Sequence, residues 1–211
     1  WKSIEITKAE IVKDIQPTNI DKNIMLNKEL KLIEIIKNEI KENRKCWIYT
    51  DFTGESGSGQ YMQGENIPER LKRLLENQNI KVFWLKPNVA PINRKELIKK
   101  NKDKYDVFIS NAKLVQTGIN MQFCPSYIVY MPSYHINTIQ QAVRRGYRAN
   151  STLENRIYYL YYENSIENEI CERMQLKKVE SQAIEGKFNF NVNIKRTASV
   201  LGKRISDIIT N

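Results

Sequence analysis

Gln140-Gln141-Ala142-Val143-Arg144-Arg145-Gly146-Tyr147-Arg148 is the stretch on which the reading of this chain turns. On a helix advancing about 100° per residue, Gln141, Arg145 and Arg148 fall within roughly 60° of one another. Ile139, Ala142, Val143 and Gly146 gather on a different face, which suits packing against a sheet. The segment thus offers one amide and two guanidiniums to whatever lies across the helix. Planar guanidiniums bind phosphate oxygens through paired hydrogen bonds. Two of them one turn apart suit the charge that develops on a transferring phosphoryl group. A solvated basic face has the same spacing, so spacing alone does not separate the two readings.

Outward from this helix, apolar runs and helical stripes alternate. Asn27 to Glu42 carries Leu30, Leu32, Ile33, Ile35, Ile36 and Ile40 at helical spacing. Cys46 to Thr50 reads as a buried strand, Pro68 to Asn77 as a helix and Ile80 to Leu85 as a strand. A helix is expected over Arg94 to Lys102, with strands at Val107–Ser110 and Tyr127–Tyr130. The arginine helix, expected from about His135 to Arg148, follows; then come a strand from Arg156 to Tyr161 and a long helix from Ile166 to Ile184. Strands and helices in this alternation predict an α/β domain with a mainly parallel central sheet flanked by helices. Such sheets carry their working loops at the carboxyl ends of the strands.

The chain has 211 residues, enough for one full core with appendages. Residues 1–27 read as a lysine-rich lead-in segment, 28–180 as the domain and 181–211 as an extension. Within that extension Ala198, Leu201, Ile205 and Ile208 recur at the spacing of a short amphipathic helix. Lys and Arg number 34 against 24 acids, a formal charge of +10 that favours a polyanionic partner. No apolar run reaches the roughly 18–20 residues of a membrane span, and no signal peptide opens the chain. Beginning at Trp1, the sequence reads as part of a longer polypeptide. A cytoplasmic or nucleoid-associated location is expected.

Cys46, Cys124 and Cys171 lie far apart without CxxC spacing, so neither a disulfide framework nor a zinc site is expected. His135 is the single histidine and cannot build a metal cluster alone. Gly54-Glu55-Ser56-Gly57-Ser58-Gly59 superficially suggests a phosphate cradle. A P-loop needs Gly-Lys-Ser/Thr at the helix start, whereas Gln60 follows Gly59, so a plain loop is expected.

Gln141-Ala142-Val143-Arg144-Arg145-Gly146-Tyr147-Arg148 resembles motif VI of superfamily 2 helicases, especially their Swi/Snf-like branch. Thr117-Gly118-Ile119-Asn120-Met121 is similar to the Gly-Leu-Asn-Leu core of motif V. Trp47 to Phe52 looks like motif IV, Arg94 to Lys102 like the helix before the motif V strand, and Ser165-Ile166-Glu167-Asn168 like the closing Thr-Ile-Glu-Glu helix. Arg144 stands where the family usually has Gly or Asp, and Ala149-Asn150-Ser151 where it has Ile-Gly-Gln. The resemblance covers about residues 28–180, in family order.

What the resemblance implies is specific. The fold would be the second, three-layer RecA-like domain of a two-domain motor. Arg145 and Arg148 would reach the nucleotide γ-phosphate, Arg148 as arginine finger, with Gln141, Gly118 and Asn120 also near ATP. Ser110, Asn111 and Thr50 would face nucleic acid, with double-stranded DNA the favoured track. ATP and Mg²⁺ would be held mainly by the preceding RecA-like domain, since the chain has neither a P-loop lysine signature nor an Asp-Glu box. This part alone would bind no cofactor and hydrolyse nothing. A degenerate RecA-like module that binds nucleic acid or protein without turnover is the alternative.

Overall fold

Among the described residues five short strands lie side by side in the order Val82–Trp84, Val107–Ser110, Cys46–Tyr49, Ser126–Val129 and Arg156–Tyr159, and all four pairings are parallel. The computed structural model describes residues 24–51, 66–115, 119–133, 136–146 and 153–174. The elements run α1 (Asn27–Lys41), β1 (Cys46–Tyr49), α2 (Ile67–Glu76), β2 (Val82–Trp84), α3 (Pro91–Asn101) and β3 (Val107–Ser110). A 3₁₀ turn (Ala112–Leu114), β4 (Ser126–Val129), α4 (Ile136–Val143) and β5 (Arg156–Tyr159) follow. Residues 166–174 are helical. The expected tail helix, the Gly54–Gly59 loop, His135 and the lead-in up to residue 23 lie outside the described residues.

Strand alternation divides the core in two. Trp47, Tyr49, Phe108, Tyr127 and Val129 point to one face, where Ile98 of α3 and Ile139, Ala142 and Val143 of α4 pack on them. Cys46, Ile48, Val107, Ile109 and Ile128 point to the other, against Leu32, Ile33 and Ile36 of α1 and Leu71 and Leu75 of α2. Because both faces are covered, β1, β3 and β4 are buried at every position. The helix after β1 therefore packs on one face, whereas the 3₁₀ turn after β3 and the helix after β4 pack on the other. That change of side opens a crevice at the carboxyl ends of these three strands.

Local chemistry sets the element ends. Asn66 caps α2, its side chain accepting from Glu69 N–H at 2.9 Å, and Pro68 occupies the first turn, where no N–H is required. Pro91 likewise opens α3, three residues before the start expected from Arg94. At the head of α1 the Glu29 carboxylate accepts from Leu26 N–H at 2.8 Å and from Arg70 Nε at 2.5 Å, tying α1 to α2. The three cysteines are free and buried.

A buried carboxylate closes the amino edge of the sheet. Glu39 of α1 is 2% exposed and accepts from Arg44 Nε (2.6 Å), Tyr158 Oη (2.6 Å), Arg156 Nη1 (2.9 Å) and the Ser126 hydroxyl. Burial alone would raise its pKa. The hydrogen bonds from Ser126, Tyr158, Arg44 and Arg156 outweigh that and hold it at about 2. Four segments of chain meet on this one side chain: α1, the turn into β1, β4 and β5.

Candidate functional site

α4 seats Ile139, Ala142 and Val143 against the sheet and leaves Gln141 exposed, as its periodicity predicts. The helix ends earlier than expected, at Val143. Arg144 N–H still bonds Gln140 O at 2.9 Å, but Arg145 N–H turns to Ala142 O (3.2 Å) and Gly146 N–H to Val143 O (3.0 Å). The last turn thus tightens to 3₁₀ form, and Arg145 sits half-buried in a turn rather than on a continuing helix.

Tyr127 explains the glycine there. Its phenol comes up from β4 beneath Gly146, where a Cβ would lie 1.7 Å from its oxygen and 2.8 Å from Cζ. The ring cannot swing aside: it is fully buried and stacks on Tyr49 at 6.2 Å between centroids. Its hydroxyl donates to Met121 O at 3.5 Å, and burial pushes its pKa well up, so it stays a donor. Met121 N–H in turn donates to Arg145 O at 3.2 Å. One aromatic side chain thereby seats both segments singled out in the sequence.

Asn120, just before Met121, is exposed, and its Oδ1 accepts from Gln122 N–H at 3.2 Å. Asn120 and Arg145 therefore stand together, with Gln141 one turn back along α4. Gly118 and Arg148 lie outside the described residues. These groups border the turn leading into β4, whereas Thr50, Ser110 and Asn111 lie at the carboxyl ends of β1 and β3. The described members of the two sets expected from the sequence to face nucleotide and nucleic acid occupy separate places.

At the carboxyl end a small cleft is lined by Thr50, Asp51, Asn111, Lys113, Ser133 and Thr138, among others. Thr50 is 2% exposed, and among the described residues its Oγ1 has no hydrogen-bond partner. Asn111 bridges the two strand ends, donating to Asp51 O at 2.8 Å while its Oδ1 caps the 3₁₀ turn through Lys113 N–H at 2.8 Å. Ser110 is fully buried, and its hydroxyl accepts from the Trp47 indole at 2.9 Å. Its side chain works inside the core, leaving Thr50 and Asn111 as the members of that set at the cleft. Sequence reasoning missed Tyr127, Lys113 and Thr138. A tyrosine within an apolar strand was the visible signal for the first; the other two carry no local signal.

A parallel sheet whose flanking helices change sides beside its central strand, with a basic turn after the fourth strand, defines a doubly wound class of α/β domain. Comparison with known proteins narrows this. Residues 27–150 match the helicase conserved C-terminal domain family, and the chain belongs to that family. The chain is 26% identical over 121 residues to the DNA excision repair protein ERCC-6-like of Bos taurus and of Homo sapiens, covering 56% of this chain and 10% of each relative. The same identity holds for the Danio rerio protein, of which 8% is covered. The C-terminal part of the Fun30 ATPase domain shares the fold, with a TM-score of 0.59 at 20% identity, over 76% of this chain and 55% of that one. The chain thus spans about a tenth of the length of the curated relatives it matches. No helix among the described residues is long and apolar enough to cross a membrane.

Proposed function

We propose that this domain is the C-terminal half of an ATP-dependent nucleic-acid translocase and completes an ATP site held mainly by a preceding RecA-like domain of the same polypeptide. The observation that carries this reading is the backbone bond from Met121 to Arg145, which holds the motif V turn against the motif VI arginine. A half-buried guanidinium beside an exposed carboxamide is a donor set suited to a polyphosphate. ATP with Mg²⁺, when bound, supplies the phosphoryl group to be transferred. Arg145 neutralises charge on that group, Arg148 acts as arginine finger, and Gln141, Gly118 and Asn120 border the nucleotide. Each can act only when the two domains close, which couples the chemistry to motion.

Thr50 and Asn111 face the nucleic acid at the carboxyl-end cleft, with Lys113 beside them. A buried hydroxyl with no partner among the described residues and a lysine beside it suit a backbone phosphate. Double-stranded DNA is the track we favour, since the relatives named above are DNA repair proteins. The deciding experiment is DNA-stimulated ATP hydrolysis by the intact polypeptide carrying Arg145→Ala. Turnover is expected to fall about 10³-fold with DNA binding largely retained. Undiminished turnover would remove the catalytic assignment, and an intact polypeptide with no turnover at all would favour a binding module.

A further inference from the structure

α3 carries lysines along one flank. Ile98 turns into the core and Leu97 packs beside it. On a helix advancing about 100° per residue, Lys95, Lys99 and Lys102 then fall within about 60° of one another. Lys95 and Lys99 are exposed and Lys102 is half-buried. Glu96 and Lys100, with Asp103 just past the helix end, fall on a separate flank, where the two signs are mixed. In the right-handed crossover from β2 through α3 to β3, the lysine flank turns toward β1, the strand that leads to Thr50. Arg94 fixes this end of the helix. Its guanidinium donates to Val89 O at 2.9 Å and to Leu114 O at 3.4 Å, joining the first turn of α3 to the 3₁₀ turn that holds Lys113 at the cleft.

A row of like charges therefore continues from the cleft along a second element. Lys113 is exposed at the cleft, and Lys95 follows beyond the Arg94 joint. Lys99 lies about 6 Å further along the helix axis, and Lys102 about 4.5 Å beyond that. A nucleic-acid strand offers an evenly repeated charge, about one per 3.4 Å of duplex axis. Lysine ammoniums are point charges on flexible stems, without the fixed plane of a guanidinium, and they suit such a uniform row. We propose that the Lys95–Lys99–Lys102 flank of α3 extends the nucleic-acid interface beyond the cleft and holds the phosphate backbone of the same duplex. It positions the duplex through charge and reads no sequence. Arg94 touches no nucleic acid and instead holds the two contact regions at a fixed separation. The proposal rests on the assignment of the Thr50 cleft to nucleic acid and adds to it a contact region on another element.

The test measures duplex DNA binding by the 211-residue chain as log affinity against log salt, between about 50 and 200 mM. Lys95→Gln/Lys99→Gln is expected to lower the slope by about two, with equal loss for unrelated duplex sequences. Lys37→Gln/Lys41→Gln removes the same charge from α1, on the other face of the sheet, and should leave the slope unchanged. All four lysines are exposed, so thermal melting should be the same for both variants and wild type. Lys113→Gln reports on the cleft itself. A lower slope in Lys113→Gln with none in Lys95→Gln/Lys99→Gln overturns the proposal and leaves the cleft assignment standing. An equal loss in the α1 control reduces the effect to net charge and also overturns it. Poly-glutamate that binds through Lys95 and Lys99 where duplex DNA does not would assign the flank to an acidic protein. Absence of duplex binding by the wild-type chain overturns the proposal and the cleft assignment together.

Discussion

Met121 N–H donates to Arg145 O at 3.2 Å, so a residue of the turn before β4 and one of the turn after α4 are fastened by main chain alone. A backbone bond fixes the position of the arginine's Cα relative to the turn before β4.

Gly146 and Tyr127 should be energetically coupled. Gly146→Ala forces a methyl onto the phenol oxygen and is expected to cost about 1–3 kcal/mol. Tyr127→Phe removes that oxygen, so the double variant should recover about 1 kcal/mol relative to the sum. Urea denaturation of the four proteins reads this out, and strict additivity would contradict the packing account.

Arg145→Lys keeps the charge but loses the planar fork. If the side chain meets phosphate oxygens in pairs, lysine should rescue little, leaving ATP turnover of the intact polypeptide roughly 10²-fold down. Recovery to within about threefold of wild type would mean that charge alone suffices, an outcome against paired recognition.

Thr50→Val keeps the shape and deletes a buried hydroxyl that has no partner among the described residues. The free domain should be unchanged or stabilised by up to about 1 kcal/mol, while DNA affinity falls several-fold. Lys113→Gln should lower the slope of log affinity against log salt by about one. Unchanged affinity in both variants would place the nucleic acid elsewhere on the domain.

Glu39 makes stability sensitive to acid. Its carboxyl titrates near 4.5 when unfolded and at about 2 when folded. The unfolded chain therefore takes up the proton first, and the contribution, complete above about pH 4.5, is lost as pH falls towards 2. Glu39→Gln should cost about 3–5 kcal/mol at pH 7 by stranding Arg44. The gap between wild type and variant should narrow by about 2 kcal/mol between pH 6 and pH 3. Denaturation curves across that range would show a constant gap if Glu39 titrated normally.

The alternation of apolar runs with helical stripes was legible because burial on both faces of a parallel sheet demands continuous apolar strands, as in Val107–Ser110. Element ends were less legible. α4 ends at Val143, the phenol of Tyr127 from another strand lies beneath Gly146 in the turn that follows, and nothing in residues 140–148 announces that tyrosine. Ser110 illustrates the same limit: a hydroxyl at a strand end reads as outward-facing until Trp47, 63 positions away, claims it.

By itself the sequence determined the class of fold, the helical faces and the order of the motifs that resemble a helicase C-terminal domain. These follow from local periodicity and from residue types at fixed spacing. Only the tertiary structure decided which of those residues share a site, that Asn120 stands with Arg145 while Thr50 and Asn111 gather at the other end of the strands. The physical reason is that these relations depend on pairings between distant strands and on which face each crossover helix covers. No window of neighbouring residues encodes them.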